Sequence, residues 1–230
     1  MSHRPLFALA TGVALAAPPL NGGWVVTTVH ELPAQLVVDQ PATIMFTIRQ
    51  HGESPLAGVS PSVLVRPADA SFLTMRRRVE ATPTGKPGVY RATITATQVG
   101  ALSVEIDPDF HGWRSPLLDI PVVARVASAA NSRTTAPGQA LFVAKGCVTC
   151  HMKSDDPALA EQRWIAVGPA LNGRTYPAGF VAQKVKDPSA LRPTLPNNTS
   201  AKMPVLEVSA AEAEAIALYL NSRRVASVPR

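Results

Sequence analysis

The sequence predicts two folded units in series, an all-β sandwich followed by a small all-α domain. Three observations carry this expectation: period-two alternation confined to the first half, helical spacing with a capping signature confined to the second, and small polar residues between them. The chain of 230 residues is long enough for two modest cores. With 46% hydrophobic and 17% charged residues it is not a disordered polyelectrolyte, and 22 prolines argue against one continuous helical bundle. Two cysteines exclude a disulfide-rich scaffold and leave one bridge or one paired-cysteine chemistry.

Residues 1–16 read as a signal peptide. Ser2, His3 and Arg4 form a short polar start, and the apolar stretch from Pro5 to Ala16 is too short for the ~20 residues of a membrane-spanning helix. Ala14-Leu15-Ala16 is a small-x-small site, which places cleavage after Ala16; an uncleaved anchor is the alternative.

From Trp24 to Val126 the chain reads as short strands. Residues 24–29, 42–48, 62–65, 89–96, 101–106 and 117–126 are rich in β-branched side chains, and Thr43 to Ile48 and Val89 to Ala96 largely alternate apolar with polar. Gly52, Gly58, Pro61, Gly85-Lys86-Pro87-Gly88 and Gly100 supply the breaks. This pattern predicts an antiparallel sandwich of immunoglobulin-like type over 22–126. Residues 127–137 follow as a linker with no apolar period.

The stretch from Arg49 to Gly58, with Pro87-Gly88-Val89-Tyr90-Arg91-Ala92-Thr93 and Val99-Gly100, resembles the FixH-like and YtkA-like extracytoplasmic β-sandwich domains. That resemblance implies a setting near oxidase assembly and copper handling. His30, His51, His111, Met45 and Met75 are the available soft or borderline ligands, but none has a His-x-His or Met-x-Met spacing. Met45, inside a strand, reads as core. A scaffold or partner-docking role is favoured for this domain.

Both cysteines fall in Cys147-Val148-Thr149-Cys150-His151. Two thiols three positions apart can add to the two vinyl groups of one haem, and the next histidine then lies under the iron; Cys-x-x-Cys-His is the attachment signature of c-type haem. A zinc site wants a second pair of ligands, and no cysteines remain to form one. A thioredoxin-like pair wants a βαβ setting, whereas here a helical stretch from Gly138 to Lys145 precedes the motif.

The flanks resemble class I cytochromes c from Gly138 to Arg224, within a domain spanning 138–230. Gly138-x-x-x-Phe142 is similar to that family's first helix, where a small residue and an aromatic let the last helix cross closely. Ser209-Ala210-Ala211-Glu212 has capping-box spacing and opens a helix to about Arg223, with Tyr219-Leu220 matching the family's terminal aromatic-leucine pair. Ala178 to Lys186 reads as a middle helix stopped at Asp187-Pro188. The resemblance implies one covalent haem c held by Cys147 and Cys150, with His151 as proximal iron ligand and Met203 of Lys202-Met203-Pro204 as distal ligand. It also implies that the Pro169 carbonyl of Gly168-Pro169-x-Leu171 accepts a hydrogen bond from the ligating histidine, and that Arg174 and Tyr176 approach the propionates. Met152 adjoins the proximal histidine and cannot reach the other haem face; ligation across domains by His51 or His111 is the competing arrangement. The segment from Lys153 to Val167, with Asp155, Asp156, Glu161, Arg163 and Trp164, is an insert relative to small cytochromes.

The formal charge of +6 is concentrated in the second unit, where 11 Lys and Arg face 7 Asp and Glu from Gly138 onward. Arg76-Arg77-Arg78 is the one tight basic run and lacks interleaved aromatics, so no nucleic-acid partner is expected. The expected function is outer-sphere electron transfer by an extracytoplasmic, peripherally held monohaem cytochrome. Its partner would be an acidic redox protein or a respiratory or photosynthetic membrane complex to which the sandwich docks it, and independent catalysis is not expected. A structural or assembly subunit of such a complex, a copper-handling protein and a haem sensor with labile Met203 are the alternatives.

Overall fold

The structure, a computed structural model, describes residues 22–71, 75–124, 136–159, 162, 164–165, 167–189 and 202–222. The expected signal peptide and its cleavage site lie outside these residues, as do Glu161, Arg163 and all of the expected linker except Ala136 and Pro137.

The first half forms two facing sheets. One runs in the order β1 (Val25–Val29), β3 (Pro41–Gln50), β8 (Val89–Thr95), β7 (Thr82–Pro83), with β4 (Ser54–Pro55) paired to β3. The other runs β2 (Leu36–Val37), β11 (Ile120–Val123), β9 (Gly100–Asp107), β5 (Ser62–Pro67), β6 (Arg77–Glu80), with β10 (Ser115–Pro116) on β9. Pairing is antiparallel except between β2 and β11. Alternation on β3 turns Ile44, Phe46 and Ile48 inward, where they join Tyr90 and Ile94 against Val63, Val65, Val104, Ile106 and Val122 of the facing sheet. Phe46 lies opposite Tyr90 in register, with ring centroids 6.1 Å apart.

The same alternation corrects one expectation. Met45 lies on the outer face of β3 and is 38% exposed, not core, because its neighbours Ile44 and Phe46 take the inward positions. The expected strand over 117–126 is replaced, within the described residues, by β10 and β11 with an irregular stretch between them. The arginine run borders and enters β6 and meets acids of β9, with Arg76 2.6 Å from Glu105 and Arg78 3.2 Å from Asp107.

The second part is helical: α1 (Gly138–Ala144), α2 (Cys147–Cys150), α3 (Phe180–Lys186) and α4 (Ala210–Asn221). α3 starts two residues later than expected because Gly179, at φ 76°, takes the N-cap position in a left-handed conformation. α4 opens with a complete capping box between Ser209 and Glu212. α1 crosses α4 closely, with Phe142 and Tyr219 ring centroids 5.8 Å apart.

The insert supplies an anchor for that crossing. Asp156 is 1% exposed; its carboxylate accepts hydrogen bonds from the Tyr219 hydroxyl and the Gln139 amide, each at 2.7 Å, and from the Ala158 N–H at 3.1 Å. Tyr219→Phe removes one buried charge-assisted donor, and urea unfolding is expected to show a loss of about 1.5–3 kcal/mol. An unchanged midpoint would contradict this account of the crossing.

The two parts pack together. Ala144 of α1 belongs to the sandwich core, while Leu32, Ala34 and Leu118 pack on the helical core. Arg49 of β3 forms a two-pronged ion pair with Glu207. The Lys145 side chain is fully buried, with its ammonium 2.5 Å from the His30 carbonyl, 2.9 Å from that of Glu207 and 2.8 Å from the Glu212 carboxylate. Burial alone would push the Glu207 carboxyl up, but the Arg49 hydrogen bond and charge outweigh it and hold the pKa below the ordinary 4.5. A lowered folded pKa contributes stability above the unfolded value, lost as pH falls through the folded one. Melting temperatures of wild type and Glu207→Gln are therefore expected to converge as pH falls below 4.5, with a neutral-pH gap equivalent to about 1 kcal/mol or less at this half-exposed pair.

Candidate functional site

The two cysteines and the histidine lie on one helical turn and its exit. Gly146, at φ 79°, precedes α2 and touches the sandwich: a Cβ there would fall 2.5 Å from Val26 Cγ1 and 2.9 Å from the Thr27 carbonyl oxygen. Cys147 and Cys150 follow as the first and last residues of α2, the first buried and the second half-buried. Burial pushes the Cys147 thiol up to about 12 and the Cys150 thiol to about 11. The site disfavours two thiolates and suits neutral sulfur, as in thioethers.

His151 leaves the helix in extended backbone, and its Nδ1 lies 2.9 Å from the Pro169 carbonyl. A carbonyl only accepts, so Nδ1 carries the proton and donates, which leaves the Nε2 lone pair free for a metal. Burial lowers the imidazole pKa, partly opposed by the Pro169 bond, so the neutral ring is favoured. Gly168 permits the contact, since a Cβ there would lie 2.7 Å from His151 Nδ1 and Cε1. The Pro169 loop is tied to the motif by Gly168 N–H to the Cys150 carbonyl, 3.0 Å, and Leu171 N–H to that of Met152, 2.9 Å.

Met203 is half-buried against the helical core. Tyr176 stacks on Phe180 at 5.6 Å with planes 11° apart, and its hydroxyl is buried with no hydrogen-bond partner among the described residues. Arg174 is exposed. The sequence reading missed Asn172, whose side-chain oxygen is likewise buried and unpartnered while its amide donates to Ser154 at 2.8 Å. Its place three residues after Pro169 was the available signal. Buried polar atoms left without protein partners suit a bound group carrying polar substituents. The neutral sulfurs, the tethered imidazole and these polar atoms together fit a covalent haem.

Of the other candidate ligands, Met45 and Met75 are exposed, and the three histidines make contacts within the sandwich. His30 Nε2 is 2.6 Å from Thr47 Oγ1, the His51 ring packs on Trp24 with centroids 5.5 Å apart, and His111 packs on Phe110 at 4.4 Å. Among the described residues no three His, Cys, Asp or Glu gather to hold a metal ion, and no helix is long and apolar enough to cross a membrane.

A small helical unit with Cys-x-x-Cys-His on one turn and a tethered imidazole is of the haem-attachment class. Residues 135–224 match the family model for cytochrome c, so the C-terminal region carries a cytochrome c domain, and that family implies covalently bound haem c. No curated protein matches the chain. Similar solved structures include the Lin-41 filamin domain, 15% identical over 42% of this chain and 91% of that one, TM-score 0.30. A superoxide reductase (neelaredoxin) from Ignicoccus hospitalis is 18% identical over 43% and 80%, TM-score 0.30. The ZirS C-terminal domain is 14% identical over 55% and 85%, also with a TM-score of 0.30.

Both cysteines are consumed if one haem is attached at both vinyls. The mature protein is therefore expected to show no thiol to a chromogenic reagent after denaturation, and a free thiol would mean incomplete attachment.

Proposed function

We propose that this chain is an extracytoplasmic monohaem c-type cytochrome that passes single electrons by outer-sphere transfer, docked by its β-sandwich to a larger respiratory or photosynthetic membrane complex. The observation that carries the reading is Cys147-Val148-Thr149-Cys150-His151 on one turn, its imidazole tied to the Pro169 carbonyl, within the region that matches cytochrome c. Bound haem supplies a one-electron ferric/ferrous couple. In this reading Cys147 and Cys150 would anchor it, and the iron would be held by His151 Nε2, oriented by Pro169, and by Met203. Tyr176 and Arg174 would be the residues that meet the propionates. The Met203 thioether as a ligand would favour the ferrous form of such a haem.

The apolar segment before Ala16 supports export, and the resemblance of the first half to FixH-like and YtkA-like domains supports docking at a membrane complex. The +4 balance from Gly138 onward supports steering toward an acidic redox partner. The test is spectroscopic, on the purified full-length protein. Expected are haem that stays with the denatured polypeptide, a ferric sulfur-to-iron charge-transfer band and no carbon monoxide binding by the ferrous protein. Rapid carbon monoxide binding would overturn the electron-carrier reading in favour of a sensor.

A further inference from the structure

We propose that the β-sandwich is an intramolecular clamp on the Met203 segment, with Arg49 and Lys145 as its positioning residues. This rests on the reading of Met203 as distal ligand. Residues 202–209 carry no helix or strand, and the one backbone bond within them among the described residues is Val208 N–H to the Leu206 carbonyl, 2.9 Å. A segment of that kind does not hold its own shape in water. Here it is held from outside at three points. The Pro204 ring lies against the turn after β3, where Gly52 has φ 77° and a Cβ would fall 2.9 Å from Pro204 Cγ. Arg49 grips the Glu207 carboxylate with both terminal nitrogens, Nη1 at 2.9 Å from Oε2.

Lys145 forms the third point and links all the parts. From the end of α1, two residues before Cys147, its buried ammonium binds a carbonyl of the sandwich (His30), a carbonyl of the segment (Glu207) and the carboxylate of Glu212 in the first turn of α4. Glu212 uses its other oxygen to accept the Ser209 N–H at 2.8 Å, closing the segment onto the helix. The attachment turn, the Met203 segment and the sandwich are thus tied through one cation. Moving Met203 away from its site means breaking contacts to the sandwich, so the clamp keeps the distal side closed against foreign ligands.

The test uses the full-length ferric holoprotein, titrated with imidazole while the sulfur-to-iron band is followed, alongside hydrogen exchange of residues 202–209. Arg49→Ala is expected to tighten imidazole binding roughly threefold to fivefold and to speed exchange in that segment while leaving α3 unchanged. Lys145→Met is expected to act in the same direction by about tenfold or more, since it removes a buried cation with three acceptors. The charge-reversed pair Arg49→Glu with Glu207→Arg should return imidazole affinity to within about twofold of wild type. If the wild type shows the band and Arg49→Ala changes neither imidazole affinity nor exchange, the clamp is overturned. If the band is absent but exchange quickens in the variant, the clamp stands and the ligand reading falls.

Discussion

Gly138→Ala is expected to destabilise the protein by at least about 3 kcal/mol, although helix propensity alone argues the other way. In an exposed helix, exchanging glycine for alanine gains about 1 kcal/mol. At Gly138 a Cβ would lie 1.9 Å from the Ala215 carbonyl oxygen, 2.5 Å from its carbon and 2.9 Å from Tyr219 Cβ. The nearest obstacle is backbone of α4, which cannot rotate away as a side chain can, so α1 and α4 must separate. Separation also pulls Phe142 from Tyr219 and slackens the bonds from Gln139 and Tyr219 to Asp156. Urea unfolding of the holoprotein followed by far-UV circular dichroism measures the loss. A variant as stable as wild type, or more so, would show that the crossing is looser than the structure has it.

Met203→Leu is expected to produce the largest functional change. The substitution keeps volume in a half-buried position against the helical core, so its stability cost should stay under about 1.5 kcal/mol. What it removes is the thioether. On the proposed reading of Met203 as a ligand, the ferric charge-transfer band should vanish, the ferrous protein should gain carbon monoxide binding, and the midpoint potential should fall with loss of the thioether. Leucine rather than alanine separates ligation from packing, because a cavity by itself could open the distal side. A ferric spectrum that lacks the sulfur band in both wild type and Met203→Leu, with no carbon monoxide binding by either ferrous protein, would transfer the distal role to a nitrogen ligand. The first place to look would be His51, whose neighbour Gly52 touches Pro204 although its ring packs on Trp24.

Local signals in the chain were legible where one residue type has few physical uses. Alternation in Thr43 to Ile48 and Val89 to Ala96 matches β3 and β8, since a strand buried on one face admits little else. Ser209 and Glu212, three apart, mark the start of α4 through a hydrogen-bond exchange that needs no tertiary partner. The Cys147-to-His151 spacing places three reactive groups on one turn for the same local reason. β1 is the contrary case: all five residues from Val25 to Val29 are buried, which no alternation announces, because the attachment turn at Gly146 covers its second face. Asp156 is another, an acid within an apparent insert that becomes the hub of the α1–α4 crossing.

The sequence by itself determined a β-rich first half, a helical second half with a cytochrome c pattern, and the Cys147-to-His151 spacing on one turn. Those features follow from periodicity, capping and spacing, which act over a few residues. Only the tertiary structure decided that Arg49 reaches Glu207, 158 positions away, and that the buried Lys145 ammonium joins sandwich, Met203 segment and α4. Nothing in the local sequence marks Arg49 or Lys145 as partners of the Met203 segment. Pairing across such separations carries no local signature, because it depends on how the two cores pack against each other.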